Sequence, residues 1–160
     1  MSRNFSQLYV HCVWATWDRL PIVTPDIKEI IYAAITRQCQ QLNCTVIAVG
    51  GVADHVHLLT SFPPKLTISD LVGQAKGSSS HLINHEIKVD DFFKWQGGYG
   101  VFTVSKSHLD RVAEYIKNQD IHHHNKQLIP DWEIPDEVNP MPKNSKVNGT
   151  HSPRRRALQL

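Results

Sequence analysis

Gly50-Gly51-Val52-Ala53-Asp54-His55-Val56-His57-Leu58-Leu59-Thr60 is the stretch on which the reading of this chain turns. In an extended strand successive side chains point to opposite faces, so His55 and His57 would project together, roughly 7 Å apart, with Val56 turned into the core. Two imidazoles then face one cleft. Asp54, if the strand is regular, points the other way. A bare His-x-His also occurs on ordinary polar faces, so the pair carries function only if a third element joins it.

Upstream, Thr45-Val-Ile-Ala-Val-Gly reads as a second strand that Gly50-Gly51 breaks or bends. The first strand is Gln7 to Trp17, β-branched and aromatic on both parities, hence buried on both faces. Between them Thr24-Pro25-Asp26 supplies an N-cap, a proline at the first helical position and an acid in the first turn. Ile27, Ile30, Ile31, Ala34 and Ile35 then keep helical spacing, predicting a helix to about Leu42.

Downstream, Thr67 with Asp70 resembles a capping box. Ile68, Leu71, Val72, Ala75, Leu82 and Ile83 extend an apolar face to about Ile87, and Gly73 and Gly77 on this helix suit close helix–sheet packing or else the approach of a nucleic-acid backbone. Residues 92–96 and 101–105 read as two short strands around the Gly97-Gly98-Tyr99-Gly100 turn. A third helix starts near Ser107 and Asp110, apolar at Leu109, Val112, Ala113 and Ile116. The order strand, helix, strand, strand, helix, strand pair, helix predicts an α+β, ferredoxin-like split βαβ sandwich, with helices on one face of a mainly antiparallel sheet and a C-terminal helix that carries Tyr115.

The 160 residues, 41% of them hydrophobic, suffice for one domain with a core. Residues 1–130 carry 12 Lys/Arg against 11 Asp/Glu, whereas residues 143–160 carry five basic residues and no acidic one. Five of the nine prolines lie in residues 130–160. The expectation is a domain over 1–130 and a flexible basic tail over 131–160. Three cysteines without metal spacing fit reduced thiols, and with no apolar run near ~20 residues the expected location is cytoplasmic, with no membrane contact.

The third element lies in Glu114-Tyr115-Ile116-Lys117-Asn118-Gln119. On one helix Tyr115 and Gln119 stand one above the other and can lean toward a common cleft. With His55-Val56-His57, the Tyr9-x-His11-x-x-Trp14 opening and Trp95-Gln96-x-Gly98-Tyr99-Gly100, these residues resemble the single-tyrosine HUH transposases of the small insertion-sequence and REP-associated type (transposase IS200-like). The likeness runs to about Asn125.

That resemblance implies a transposase that cleaves and rejoins single-stranded DNA at hairpin-bearing element ends. Tyr115 would be the nucleophile forming a 5′-phosphotyrosine, and His55, His57 and the Gln119 amide oxygen would hold Mg²⁺ or Mn²⁺. A homodimer is implied too, often with active sites shared between subunits. For the DNA, Lys65, Lys76, Lys106 and Lys117 are candidate phosphate contacts, and Trp95 or Tyr99 candidate stacking surfaces. His123 returns to the Gln119 side of the helix, where a metal role competes with an ordinary helix-terminal cation. Two other readings stay open: a non-catalytic single-stranded nucleic-acid-binding module, and a metal-dependent hydrolase, which would need an acidic ligand beside the His pair.

Overall fold

The computed structural model describes residues 3–87 and 92–133. Strand β1 (Tyr9–Ala15) leads through a short 3-10 turn at Trp17–Arg19 to helix α1 (Lys28–Gln41), strands β2 (Val46–Val52) and β3 (His55–Ser61), and helix α2 (Ile68–His81). A π-helical extension at Leu82–Ile87 follows. Strand β4 (Gly100–Thr103), helix α3 (Leu109–Lys117) and helix α4 (Gln119–His124) complete the order. The sheet runs β2-β3-β1-β4 and all its pairs are antiparallel. This is the split βαβ arrangement that the sequence order predicts.

Alternation along the two central strands sorts the side chains. Val10, Cys12, Trp14, Val56 and Leu58 pack with Ile31 and Ile35 of α1 and Leu71, Val72 and Ala75 of α2 into the main core. Their neighbours of opposite parity face away. On that second side Leu59 and Ala48 pack against Val112, Ala113 and Ile116 of α3. Helices therefore cover both faces: α1 and α2 lie on one, as expected, and α3 crosses the other. The three thiols are free and buried, Cys12 and Cys39 each pushed up to about 12 by burial first and by neighbouring thiols second.

The structure differs from the sequence reading at four places. Residues 92–96 form no ladder; only Trp95 makes an isolated bridge, to Thr16. Backbone groups there are divided between the end of β1, where the Gln96 N–H donates to the Ala15 carbonyl at 2.8 Å, and side chains, Asn84 bonding both the N–H and the carbonyl of Phe93 at 2.7 Å. Gly50-Gly51 does not break β2 but lies within it. The helix bearing Tyr115 stops at Lys117, with Asn118 between it and α4, so Tyr115 and Gln119 sit on successive short helices. Finally, Gly73 and Gly77 allow no close packing: a Cβ on either would meet nothing within 4 Å.

The expected tail falls mostly on residues 134–160, which lie outside the described residues, as does the basic run Arg154-Arg155-Arg156. Its first residues do not stay apart. Pro130–Trp132 form a 3-10 turn and Trp132 packs against the α3 cluster.

At Gly50 the missing side chain is what lets α3 approach, because a Cβ there would overlap the Ile116 backbone carbonyl. Gly50→Ala is expected to destabilise the fold by ~1–3 kcal/mol, the usual cost of overpacking, whereas Gly73→Ala should stabilise it by up to about 1 kcal/mol through helix propensity. Urea denaturation of the two variants checks the opposite signs.

Candidate active site

His55 and His57 sit on the face of β3 that α3 covers, and are 1% and 0% exposed. Their rings lie edge to face with centroids 5.1 Å apart. Both Nε2 atoms converge on Glu133, whose Oε2 stands 3.6 Å from His55 and 3.4 Å from His57. One ligand atom from each of the three residues lies within 4.8 Å of the others, a spacing that one ion can bridge.

The opposite ring nitrogens are also held. Asp54, placed in the β2–β3 turn rather than turned away, meets His55 Nδ1 at 2.7 Å with one oxygen and Arg19 Nε at 3.4 Å with the other. Burial opposes its charge, but the His55 hydrogen bond and the Arg19 charge outweigh that and lower its pKa. His57 Nδ1 meets His11 Nε2 at 2.8 Å. Partners at Nδ1 fix ring orientation and tautomer, the arrangement that metal-ligating histidines commonly have.

Burial keeps His57 and His11 neutral, and neutral is the form in which an imidazole binds metal. His57 is pushed down to about 4, burial being the main cause and the Glu133 carboxylate working against it. His11 is pushed down to about 3 by burial and then by His57. Burial alone would raise Glu133, yet the neighbouring His57, the Tyr115 hydroxyl and His55 bring its carboxyl to about 2. His57 Nε2 is buried with Glu133 Oε2 3.4 Å away but no well-aligned hydrogen bond. Two imidazoles and a carboxylate around such an atom fit a divalent cation.

Tyr115, on α3, reaches this group from within the same chain. Its ring stands edge-on to His57 with centroids 6.1 Å apart and stacks on His122 at 4.6 Å. The phenol Oη donates to Glu133 Oε1 and accepts from the Ile129 N–H at 3.1 Å. Burial, then the carboxylate, raise its pKa to about 12. Gln119 is buried close by; its Oε1 lies 3.1 Å from His123 Nε2, which lies 3.1 Å from His55 Nε2. The amide thus meets the histidine pair through His123.

The remaining sequence candidates are spread over the molecule. Lys65, Lys106 and Lys117 are exposed. Lys76 is engaged, donating to the Gln96 and Gly98 carbonyls at 2.6 and 3.0 Å. Trp95 is 7% exposed and Tyr99 packs against the main core, so neither ring offers an open face. Sequence reasoning missed Glu133, His11 and the role of Asp54. Parity along β1 could have found His11, which shares a face with Val13, the residue opposite His57; nothing local singles out Glu133.

A family model described as Transposase IS200 like matches residues 4–119. The chain belongs to the IS200-like transposase family. It is 31% identical over 115 residues to the transposase for insertion sequence element IS200 of Salmonella typhimurium, covering 68% of this chain and 74% of that one. To the ISDra2 transposase TnpA of Deinococcus radiodurans it is 26% identical over 118 residues, covering 71% and 84%. Among solved structures, a crystal structure of a putative transposase from Deinococcus radiodurans r1 matches with a TM-score of 0.57 and 25% identity, over 74% of this chain and 96% of that one. A REP-associated tyrosine transposase bound to a REP hairpin shares the fold at a TM-score of 0.57 and 13% identity, over 77% and 74%. For an IS200-like transposase the matched segment includes His55, His57, Tyr115 and Gln119, and stops short of Glu133. Among the described residues no helix is long and apolar enough to cross a membrane.

The buried imidazoles tie stability to pH. His11 and His57 hold fewer protons folded than unfolded between about pH 6.5 and their lowered values. Their contribution is complete above 6.5 and is lost as pH falls through about 4 and then about 3. Metal-free protein is expected to lose roughly 1.4 kcal/mol per pH unit for each such proton on acidification below 6.5, and thermal melts across that range measure it. A melting temperature flat from neutral to mildly acid pH would contradict the assignment of buried neutral rings.

Proposed function

We propose that this chain is a single-tyrosine DNA strand transferase that cleaves and rejoins single-stranded DNA at hairpin-bearing element ends. The observation that carries the reading is the phenol of Tyr115 set against the His55–His57 pair through one shared carboxylate. Family membership supplies the substrate class. The REP hairpin held by the relative of the same fold supports a structured single strand as ligand.

In this reading His55, His57 and Glu133 would hold a divalent ion, Mg²⁺ or Mn²⁺, and Gln119 would join them if His123 gave up its place beside His55. Imidazole donors lean toward Mn²⁺ over Mg²⁺. When bound, the ion neutralises charge on the non-bridging phosphate oxygens. Tyr115 Oη attacks phosphorus, the bond to the 3′ oxygen breaks, and that oxygen leaves as a free 3′-hydroxyl. The product is a 5′-phosphotyrosine diester, open to attack by another 3′-hydroxyl without an external energy source.

The proton of Tyr115 has a defined neighbour in Glu133. With the phenol near 12 and the carboxyl near 2, a phenolate does not form ahead of attack. Proton loss therefore accompanies formation of the new O–P bond. Tyr115 and both imidazoles come from one chain, so completing the site does not demand a tyrosine helix exchanged between the subunits of a homodimer.

Glu133 also supplies the acidic ligand that a metal-dependent hydrolase would need, which keeps that second reading in play. The two part at the covalent stage. Incubated with single-stranded hairpin oligonucleotides and Mn²⁺, the native protein is expected to give an adduct on a denaturing gel. Tyr115→Phe should give none while binding the same DNA within about threefold. Cleavage without any adduct would favour the hydrolase, and indifference to chelator a binding module.

Metal holding is tested separately. Mn²⁺ should raise the melting temperature of the native protein, and Glu133→Ala or His57→Ala should lower its Mn²⁺ affinity by about 10–100-fold or more. Unchanged affinity in Glu133→Ala would remove that carboxylate from the ligand set.

A further inference from the structure

We propose that the cleft between α2 and the Trp17–Arg19 turn binds an unpaired base of the single-stranded DNA that flanks the bond attacked by Tyr115. The inference rests on the strand-transfer reading and adds a site to it. The cleft has a volume of about 460 Å³, in the range of small-ligand sites, and Trp17, Phe92, Lys94, Lys76, Gly77 and Gln96 are among its walls.

Its floor is fixed. Trp95 Nε1 donates to Ser79 Oγ at 3.0 Å, Asn84 clamps the Phe93 backbone, and the Lys76 ammonium ties α2 to the Gln96 and Gly98 carbonyls. Its rim is open. Phe92 is 45% exposed, and the Lys94 ammonium lies 4.0 Å from the centre of the Trp17 ring. Aromatic faces beside a mobile cation are what an unpaired base and its phosphate require. A base taking that face of the Trp17 ring would displace Lys94 from it, and the exposed ammonium would then meet the adjoining phosphate.

Gly77 keeps the α2 wall low: among the described residues a Cβ there would meet nothing within 4 Å. The Trp17–Arg19 turn stands opposite and presents Trp17 to the cleft.

The place of the cleft fits a strand leaving the catalytic group. The histidines lie on the α3 face of the sheet and the cleft on the α1/α2 face, both at the end where Ala15 pairs with His55. There the Thr16 N–H donates to the Asp54 carbonyl at 2.8 Å and the Trp17 N–H to the Lys94 carbonyl at 2.9 Å. One turn thus sends Arg19 to Asp54, beside His55, and Trp17 to the cleft. A single strand rounding this edge passes a guanidinium and then an indole.

The test uses the full chain and fluorescence anisotropy with two probes, a bare DNA hairpin and the same hairpin with an oligothymidine flank. The native protein is expected to bind the flanked probe more tightly. Trp17→Ala and Phe92→Ala should each cost about tenfold, confined to the flanked probe. Gly77→Leu, which fills the cleft with a good helix former, should do the same without loss of melting temperature. Folded variants that keep native affinity for the flanked probe, or that weaken both probes equally, would overturn the cleft assignment. Absence of a Tyr115-dependent adduct in the native protein would overturn the strand-transfer reading instead, and the binding comparison is read without it.

Discussion

Alternation along β3 is the constraint on which the molecule depends. It sends Val56 and Leu58 into the main core and His55, His57 and Leu59 to the other side, and β3 is an interior strand, so both sides must be covered. Covering the second side with α3 buries two imidazoles, which is tolerable only if their nitrogens find partners. Asp54, His11 and Glu133 provide them. The approach of α3 depends in turn on one absent side chain, at Gly50, under the carbonyl of Ile116. A missing Cβ on the sheet thus sets how near the phenol of the neighbouring residue, Tyr115, comes to the histidines.

What could be read in advance divides by the range of the interactions. Strand alternation, the helical spacing of Ile27 to Ile35 and the Thr67 cap on Asp70 N–H are local, and the sequence order predicts the sheet correctly from them. Residues 92–96 carry strand composition but lose their ladder to side chains from α2 and its extension, a competition no local pattern reports. The amphipathic pattern of α3 shows that it packs, and is silent on which face of the sheet receives it. Gly50-Gly51 and Gly73/Gly77 were both open to the opposite reading, since composition alone does not distinguish a glycine that makes room within the chain from one that leaves room outside it.

The site follows the same division. The His55-x-His57 parity and the Tyr115–Gln119 spacing are short-range and legible, although the break at Asn118 changes how the amide reaches the histidines. Glu133 comes from beyond the last regular helix, in a proline-rich stretch whose composition suggested a tail. Only the packing of Trp132 on α3 and the two hydrogen bonds at the Tyr115 phenol bring it in.

The presence of that carboxylate bears on the chemistry itself. A phosphodiester placed for attack by Tyr115 would set its negative charge beside Glu133 in a region shielded from water, where like charges repel strongly. The surrounding rings offer no compensation as free imidazoles, because burial holds His57 and His11 neutral. Glu133 also stays ionised rather than yielding its charge, since Tyr115 donates a hydrogen bond to the carboxylate and His57 lies 3.4 Å from it. Strand transfer at this site would therefore call for a cation to offset the carboxylate and the phosphate, and the His55 and His57 imidazoles, whose Nδ1 atoms are already held, are donors suited to hold one.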